Sequence, residues 1–239
     1  MAIAIQNTYS NSRAAGGSGT LTVSGVAATG SSCIAVVAVG VNYGGDNISG
    51  VTYDGSAMTK VISTQPTVDQ PNTAIYWKAV AAGSGKDVVV SYSAGDDRAM
   101  AATVYILTGA HTTSQADNSG RGGNAGSAPS QSLTPTEDNC IVIDSISTTS
   151  TAANTVSGSN TEVYDAQGMY TSYIIQTTAG LATLSWTNSK QWGGTVASFK
   201  AAAASGPANV KTVKGLAIAS VKTMNGLAIA SVKTIKGLN

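Results

Sequence analysis

The sequence predicts an all-β protein: a jelly-roll-like antiparallel β-sandwich followed by a short repeat tail. Three observations carry this. Apolar runs are short and rich in Val, Ile, Tyr and Trp, the residues that fit a pleated, half-buried surface. The gaps between them hold the Gly, Ser, Asn and Asp that let a chain reverse. No segment of the body repeats its apolar residues at a helical period, so strands with Gly/Ser/Thr turns point to a sandwich or barrel.

Ala2–Tyr9 and Thr20–Ser24 alternate enough to be the first strands, and AAGGSG and AATGSS are the turns around the second. Cys33–Val41 is apolar at both parities, which predicts a central strand covered on both faces. Val51–Tyr53 and Ala57–Ser63 flank Asp54-Gly55, a pair that tolerates positive φ and signals a tight hairpin. The stretch from Thr73 to Gly109 carries three more runs, Ala74–Val80, Asp87–Ser93 and Ala99–Leu107, expected as an antiparallel meander. Ala110–Pro129 has almost nothing to bury and reads as a long exposed loop. Leu133 lies in a short edge segment closed by Pro135, and strands then recur at Cys140–Thr148, Thr161–Asp165, Tyr170–Thr177, Leu181–Thr187 and Thr195–Lys200.

Composition narrows the function classes. Hydrophobic residues make up 42% of the 239 residues and charged residues only 10%, so solubility rests on Ser, Thr, Asn, Gln and Gly. A net charge of +1 argues against nucleic-acid binding driven by bulk charge. The charge is unevenly placed: five lysines and no acid follow Lys200, while the preceding residues carry 8 basic and 12 acidic side chains. No stretch approaches the ~18 apolar residues of a membrane span, so membrane insertion is not expected. The segment MAIAIQNTYSNSRAAGG has neither the basic nor the long apolar part of a secretion signal. If the protein works outside a cell, release by lysis, within a particle or by a dedicated route is expected.

Catalytic and metal chemistry finds little to work with. The single histidine, His111, sits in AHTTS past a strand end, and no G-x-S-x-G elbow or P-loop is present. Asp96-Asp97 reads as the turn AGDDR, and Glu162 and Asp165 as solvated charges at a strand end. Two cysteines and one distant histidine do not supply four metal ligands. Cys33 and Cys140 each open an apolar run; buried free thiols and a disulfide across a loop of about a hundred residues both remain open. Neither an enzyme nor a cofactor is expected. The residues that could serve a ligand from loops are His111, Arg121 and Trp192, the last beside Gly193-Gly194. The other aromatic residues are expected as core and rim filler, given one Phe in the chain.

After AAAASGPAN the chain repeats itself with a period of 11, as VKTVKGLAIAS, VKTMNGLAIAS and VKTIKGLN. This divides the chain into a sandwich domain over 1–200, a linker over 201–209 and a tail over 210–239. In a β reading, which composition favours, Lys214-Gly215 and Asn225-Gly226 are two-residue turns with LAIASVKT as the strand between them. In the alternative, Val210, Val213, Ala217, Val221, Met224, Ala228, Val232 and Ile235 follow a 3-4-4 spacing suited to a right-handed coiled coil. One Gly per repeat, at ~1 kcal/mol each, opposes that alternative. So few short repeats bury little surface alone, so the tail is expected to pack on a body or a neighbouring subunit. The expected assembly residues are Val210, Lys211, Leu216, Ile218, Val221, Lys222, Leu227, Ile229, Val232 and Lys233.

The order VTYDGSAMTKV, IYWKAVAAGSGKDVVVSYS, ATVYILTGA, CIVIDSIS and ATLSW…WGGTVASFKA resembles a jelly-roll-type β-sandwich module of bacteriophage structural and bacterial surface proteins, over roughly Cys33 to Ala202. The tail is similar to C-terminal repeats of phage and environmental viral proteins. The resemblance implies a virion or extracellular location and an adhesive or structural unit, and it transfers no catalytic residue. Three functions follow as expectations: a structural virion protein (capsid decoration or fibre subunit) forming homo-oligomers and meeting other virion proteins; an adhesin binding a surface glycan or receptor; and a subunit of an extracellular filament.

Overall fold

The computed structural model describes residues 2–16, 19–42, 48–64, 71–92, 98–124, 128–150, 154–187 and 190–203, and in the tail 212–213, 216–217, 223–224 and 227–228. It divides into two compact units, Ala2–Ala201 and a second comprising Met1 and Ala202–Asn239. No described residue is helical.

The first unit contains β1 (Ala4–Arg13), β2 (Thr20–Ala28), β3 (Cys33–Val41), β4 (Ile48–Tyr53), β5 (Ser56–Ala57), β6 (Thr59–Ser63), β7 (Asn72–Val80), β8 (Gly83–Tyr92) and β9 (Met100–Thr108). It continues with β10 (Asn118–Asn124), β11 (Ser130–Leu133), β12 (Cys140–Thr148), β13 (Thr161–Ala166), β14 (Met169–Gln176), β15 (Ala182–Ser185) and β16 (Trp192–Lys200). Asp54 and Gly55 both hold positive φ (49° and 73°), the conformation a tight β4–β5 turn requires.

Four sheets stack where one sandwich was expected. Sheet I is β2-β8-β4-β5, sheet II β1-β9-β3-β7-β6, sheet III β10-β16-β12-β14-β13, and sheet IV the pair β11-β15. The predicted meander is corrected by this pairing. β7 joins sheet II, β8 sheet I and β9 sheet II again, so successive strands cross between layers and never pair with one another. Of these three, strands adjacent in sequence therefore face one another across the core and do not lie side by side in one sheet. The expected loop Ala110–Pro129 is corrected too, because its middle forms β10.

Side-chain alternation accounts for the layering. Val37, Val39, Ala102 and Val104 of sheet II meet Leu21, Val23, Val88 and Val90 of sheet I. The opposite parity, Ile34, Val36, Tyr105 and Leu107, meets Ile141, Ile143, Ala197 and Phe199 of sheet III. On the far face of sheet III, Val142 and Val196 pack on Leu133, Ala182 and Leu184. All nine residues of β3 are buried, as are all nine of β12. At ~1.5–3 kcal/mol per fully buried aliphatic side chain, these two strands anchor the unit.

Strand order and register show that the unit is a duplication. The order β1-β9-β3-β7-β6 recurs as β10-β16-β12-β14-β13, and β2-β8 recurs as β11-β15. Ile34 pairs with Leu107 and Ala79, and its counterpart Ile141 pairs with Phe199 and Ile175. Leu21 faces Val90 as Gln131 faces Leu184. The irregularity at Lys60/Ile62 in the β6–β7 pair recurs at Glu162/Tyr164 in β13–β14. Even the bond Tyr92 N–H to Gly19 O (2.7 Å) recurs as Trp186 N–H to Pro129 O (2.9 Å).

The two modules pack through equivalent sheets in opposed order, β1 near β13 and β6 near β10, about an approximate two-fold. Three hydroxyls bridge the layers: Ser145 Oγ donates to Val39 O (3.1 Å), Ser147 Oγ to Val41 O (2.9 Å), and Tyr105 OH to Thr171 Oγ1 (2.8 Å). Burial pushes the Tyr105 phenol far above its ordinary range, so it serves as a neutral donor. Tyr105→Phe is expected to lower stability by ~1–2 kcal/mol in urea unfolding, the cost of an unanswered buried hydroxyl. An unchanged midpoint would show that the bond contributes nothing net.

In the second unit, Thr212–Val213 pairs antiparallel with Leu216–Ala217, and Thr223–Met224 with Leu227–Ala228. Most of the residues on which the β and coiled-coil readings of the repeats differ lie outside the described ones. The strand expected over LAIASVKT falls partly outside the described residues.

Candidate functional site

The residues expected to serve a ligand do not converge. Trp192 is not in an exposed loop: it opens β16, is 7% exposed, and packs with Ile146, Tyr170 and Trp186. A side chain at Gly122 would begin 3.2 Å from its ring, which explains why β10 is glycine-rich and illegible as a strand. His111 lies at the other end of β16, where its N–H donates to Lys200 O (3.0 Å). Eight residues of strand, about 25 Å, separate the two ends. His111 Nδ1 accepts from the Ser114 N–H (3.2 Å), a turn-forming role. Arg121 is exposed on β10, opposite Thr195.

Of the expected assembly residues, Leu216 and Leu227 fall within the tail's strands. Val210, Lys211, Ile218, Val221, Lys222, Ile229, Val232 and Lys233 lie outside the described residues, as do Asp96 and Asp97. No group of three or more His, Cys, Asp or Glu among the described residues is placed to hold a metal ion. Cys33 and Cys140 are free and buried at equivalent positions of the two modules. Their thiols donate to Thr29 O (3.3 Å) and Glu137 O (3.1 Å). Burial raises both, Cys140 to about 12. Both thiols are expected to react with a thiol reagent at least tenfold more slowly in the folded chain than in the unfolded chain. Equal rates would contradict their burial.

Two surface features remain as sites. The first is a groove of about 460 Å³ in the N-terminal module, lined by Ser49, Thr52, Met58, Lys60, Tyr76 and Ser91 among others. The Lys60 ammonium stands 5.7 Å from the Tyr76 ring centre, a cation–π distance.

The second is an open strand edge in the C-terminal module. In the N-terminal module, β4 pairs with β8 from Ile48–Tyr92 to Tyr53–Val88. The tip of the β4–β5 hairpin is fixed by the Asp54 N–H to Asp87 O (2.8 Å), and its flank by Lys78 Nζ to Ala57 O (3.2 Å). Among the described residues of the C-terminal module only the start of this pairing survives: the bridge Val156 to Trp186, with the Thr187 N–H to Thr155 O (3.1 Å) on one side and the Ser157 N–H to Ser185 O (2.9 Å) on the other. The sequences explain the difference. ISG-VTYDGSAM-TKV over 48–61 corresponds to VSG-SN-TEV over 156–163, so Ser159-Asn160 stand where the hairpin's eight residues 51–58 should be.

Thr183, the counterpart of Val89, is therefore exposed beside a vacancy. Ser185, two residues on, turns its N–H to Asn160 Oδ1 (3.3 Å) and its carbonyl to Ser157. Thr183 presents its own main-chain groups on that same side. The margin of the gap is apolar where the N-terminal module is charged. Leu181 (69% exposed) replaces Asp87, and half-buried Ile174 replaces Lys78. Sequence reading missed this edge, because its signal is a deletion visible only once the halves are aligned.

Compared with known protein families and with curated proteins, the chain matches no family model and no curated protein.

Proposed function

We propose that the chain is a structural virion protein of a bacteriophage-like particle, a capsid decoration or fibre subunit, that assembles in many copies through its C-terminal repeats. The observation that carries this reading is the tail: paired two-residue strands recurring at an 11-residue period, with lysines and no acids, in a chain whose body has the opposite net charge. Such complementarity orients partners more than it tightens them. The strand order supports reading the body as jelly rolls. β1-β9-β3-β7 facing β2-β8-β4-β5 is the arrangement two nested Greek keys generate, and the second half repeats it without its last two outer strands.

Native mass measurement on the full chain, and on a chain ending at Ala204, tests the assembly. Trimers or larger species are expected for the first and monomers for the second; monomers in both would overturn the reading. An open-ended ladder of masses would favour the filament subunit. The adhesin reading has one observation of its own, the Lys60–Tyr76 groove with its hydroxyl rim. It expects binding on a glycan array that Lys60→Ala abolishes.

A further inference from the structure

We propose that each tail repeat is a replacement for the hairpin missing from the C-terminal module, and that a repeat of a second copy fills the open edge at Thr183. This rests on the assembly reading above and names the surface that receives the tail.

The resident hairpin and the repeats match in sequence and register. V-T-Y-D-G-S-A-M over 51–58 aligns with K-T-V-K-G-L-A-I over 211–218 and K-T-M-N-G-L-A-I over 222–229. Thr, Gly and Ala occupy the same places, with a large apolar residue after Thr and after Ala. The hairpin pairs Thr52 with Ala57 and Tyr53 with Ser56. The first repeat pairs Thr212 with Ala217 and Val213 with Leu216, and the second pairs Thr223 with Ala228 and Met224 with Leu227. Each pair thus flanks two central residues ending in Gly, as the β4–β5 pair flanks Asp54-Gly55.

The differences between hairpin and repeat complement the differences between the two modules. Lys211, Lys222 and Lys233 take the place of Val51. In the N-terminal module Val51 is buried at the floor of the groove that Lys60 also lines, so a lysine in its place must extend its stem along the groove to bring its ammonium out, and the counterpart of Lys60 is the exposed Glu162. The repeat's cation would therefore face a carboxylate. At the hairpin tip the N-terminal module sets Asp54 against Lys86 (2.6 Å). The C-terminal module has Gly180 in place of Lys86, beside Asp138, whose Oδ1 accepts the Ala179 N–H (2.8 Å). Lys214 and Lys236 stand in the place of Asp54, so the charges exchange sides. The apolar margin of Ile174 and Leu181 suits the Leu and Ile of LAIAS. Main-chain pairing would supply the affinity, as when an extended segment completes an exposed sheet edge.

A second copy is the occupant because the proposed assembly is carried by the tail, which holds two full repeats and the start of a third, and a repeat that closed the edge of its own body would join no copies. The register gives the test. Thr52 faces Val89, so Thr212, Thr223 or Thr234 should face Thr183. Full-length chains carrying Thr183→Cys are mixed with chains carrying Cys at one of the three tail threonines, and oxidised. Mixed disulfide-linked dimers are expected at least tenfold above a control with Ser130→Cys, on the opposite strand. Glu162→Lys should reduce the yield severalfold.

Yields at the control level would overturn the inference. If assembly is still lost on truncation at Ala204, the assembly reading survives that failure; if the full chain is monomeric, both fall. A chain with Thr183→Cys and a tail cysteine together that closes only an internal disulfide would overturn the second copy as occupant.

Discussion

Asp144→Asn is expected to destabilise the body by about 2–4 kcal/mol near neutral pH, because it leaves two buried donors facing each other. Asp144 has no exposed surface. Its Oδ1 accepts from the Ser172 N–H (2.7 Å) and Oγ–H (2.8 Å), and its Oδ2 accepts from the Trp186 indole N–H (2.9 Å). An asparagine that turns its oxygen to Ser172 aims its NH2 at the indole N–H. Asn160 extends the network, donating to Ser172 Oγ (2.8 Å), so strands β12, β14 and the covering segment are tied at one carboxylate.

The same group carries a pH signature. Burial raises Asp144 from an ordinary 3.8 to about 6, against three hydrogen bonds that favour the anion. A folded value above the unfolded one means the native state binds the proton more readily. The group's contribution to stability is therefore full below about pH 4 and lost as pH rises through 6, a change of ~3 kcal/mol. Urea unfolding of both proteins between pH 4 and 7 should show the parent's advantage over Asp144→Asn narrowing as pH rises. An advantage that is constant, or grows, would contradict the assignment.

Phe199→Ala should cost ~3–5 kcal/mol, the range for emptying a buried aromatic site. Phe199 has no exposed surface and packs in the layer between sheets II and III, where it is the counterpart of Leu107. Because this layer joins the modules, thermal unfolding of the variant is expected to split into two transitions or to fall steeply in midpoint. A loss under 1 kcal/mol would mean that the modules do not depend on their shared face.

Most strands were legible, since Cys33–Val41 and Cys140–Thr148 read as doubly buried runs and Asp54-Gly55 as a tight turn. Pairing was not. Neighbouring runs at 74–80, 87–93 and 99–107 invite a meander, and only the burial of both parities hints that a third layer lies behind them. β10 was hidden because its Gly122 and Gly123 answer to Trp192, a residue about seventy positions away, and its Gly120 to Val196 and Leu133. The Asp144 network was hidden for a similar reason: CIVIDSIS reads as a strand with one stray acid until Ser172 and Trp186 are folded onto it. The duplication left traces, in ISG and VSG, TKV and TEV, VVVSY and ATLSW, that become compelling only when register aligns them.

Hydrogen exchange at the Thr183 amide distinguishes a filled edge from an open one. Slow exchange is expected in the full chain at concentrations where it assembles, and fast exchange, as for an open edge, in a chain ending at Ala204. Fast exchange at Thr183 in both would mean that the gap in the C-terminal module stays empty and that the tail's hairpins serve another purpose.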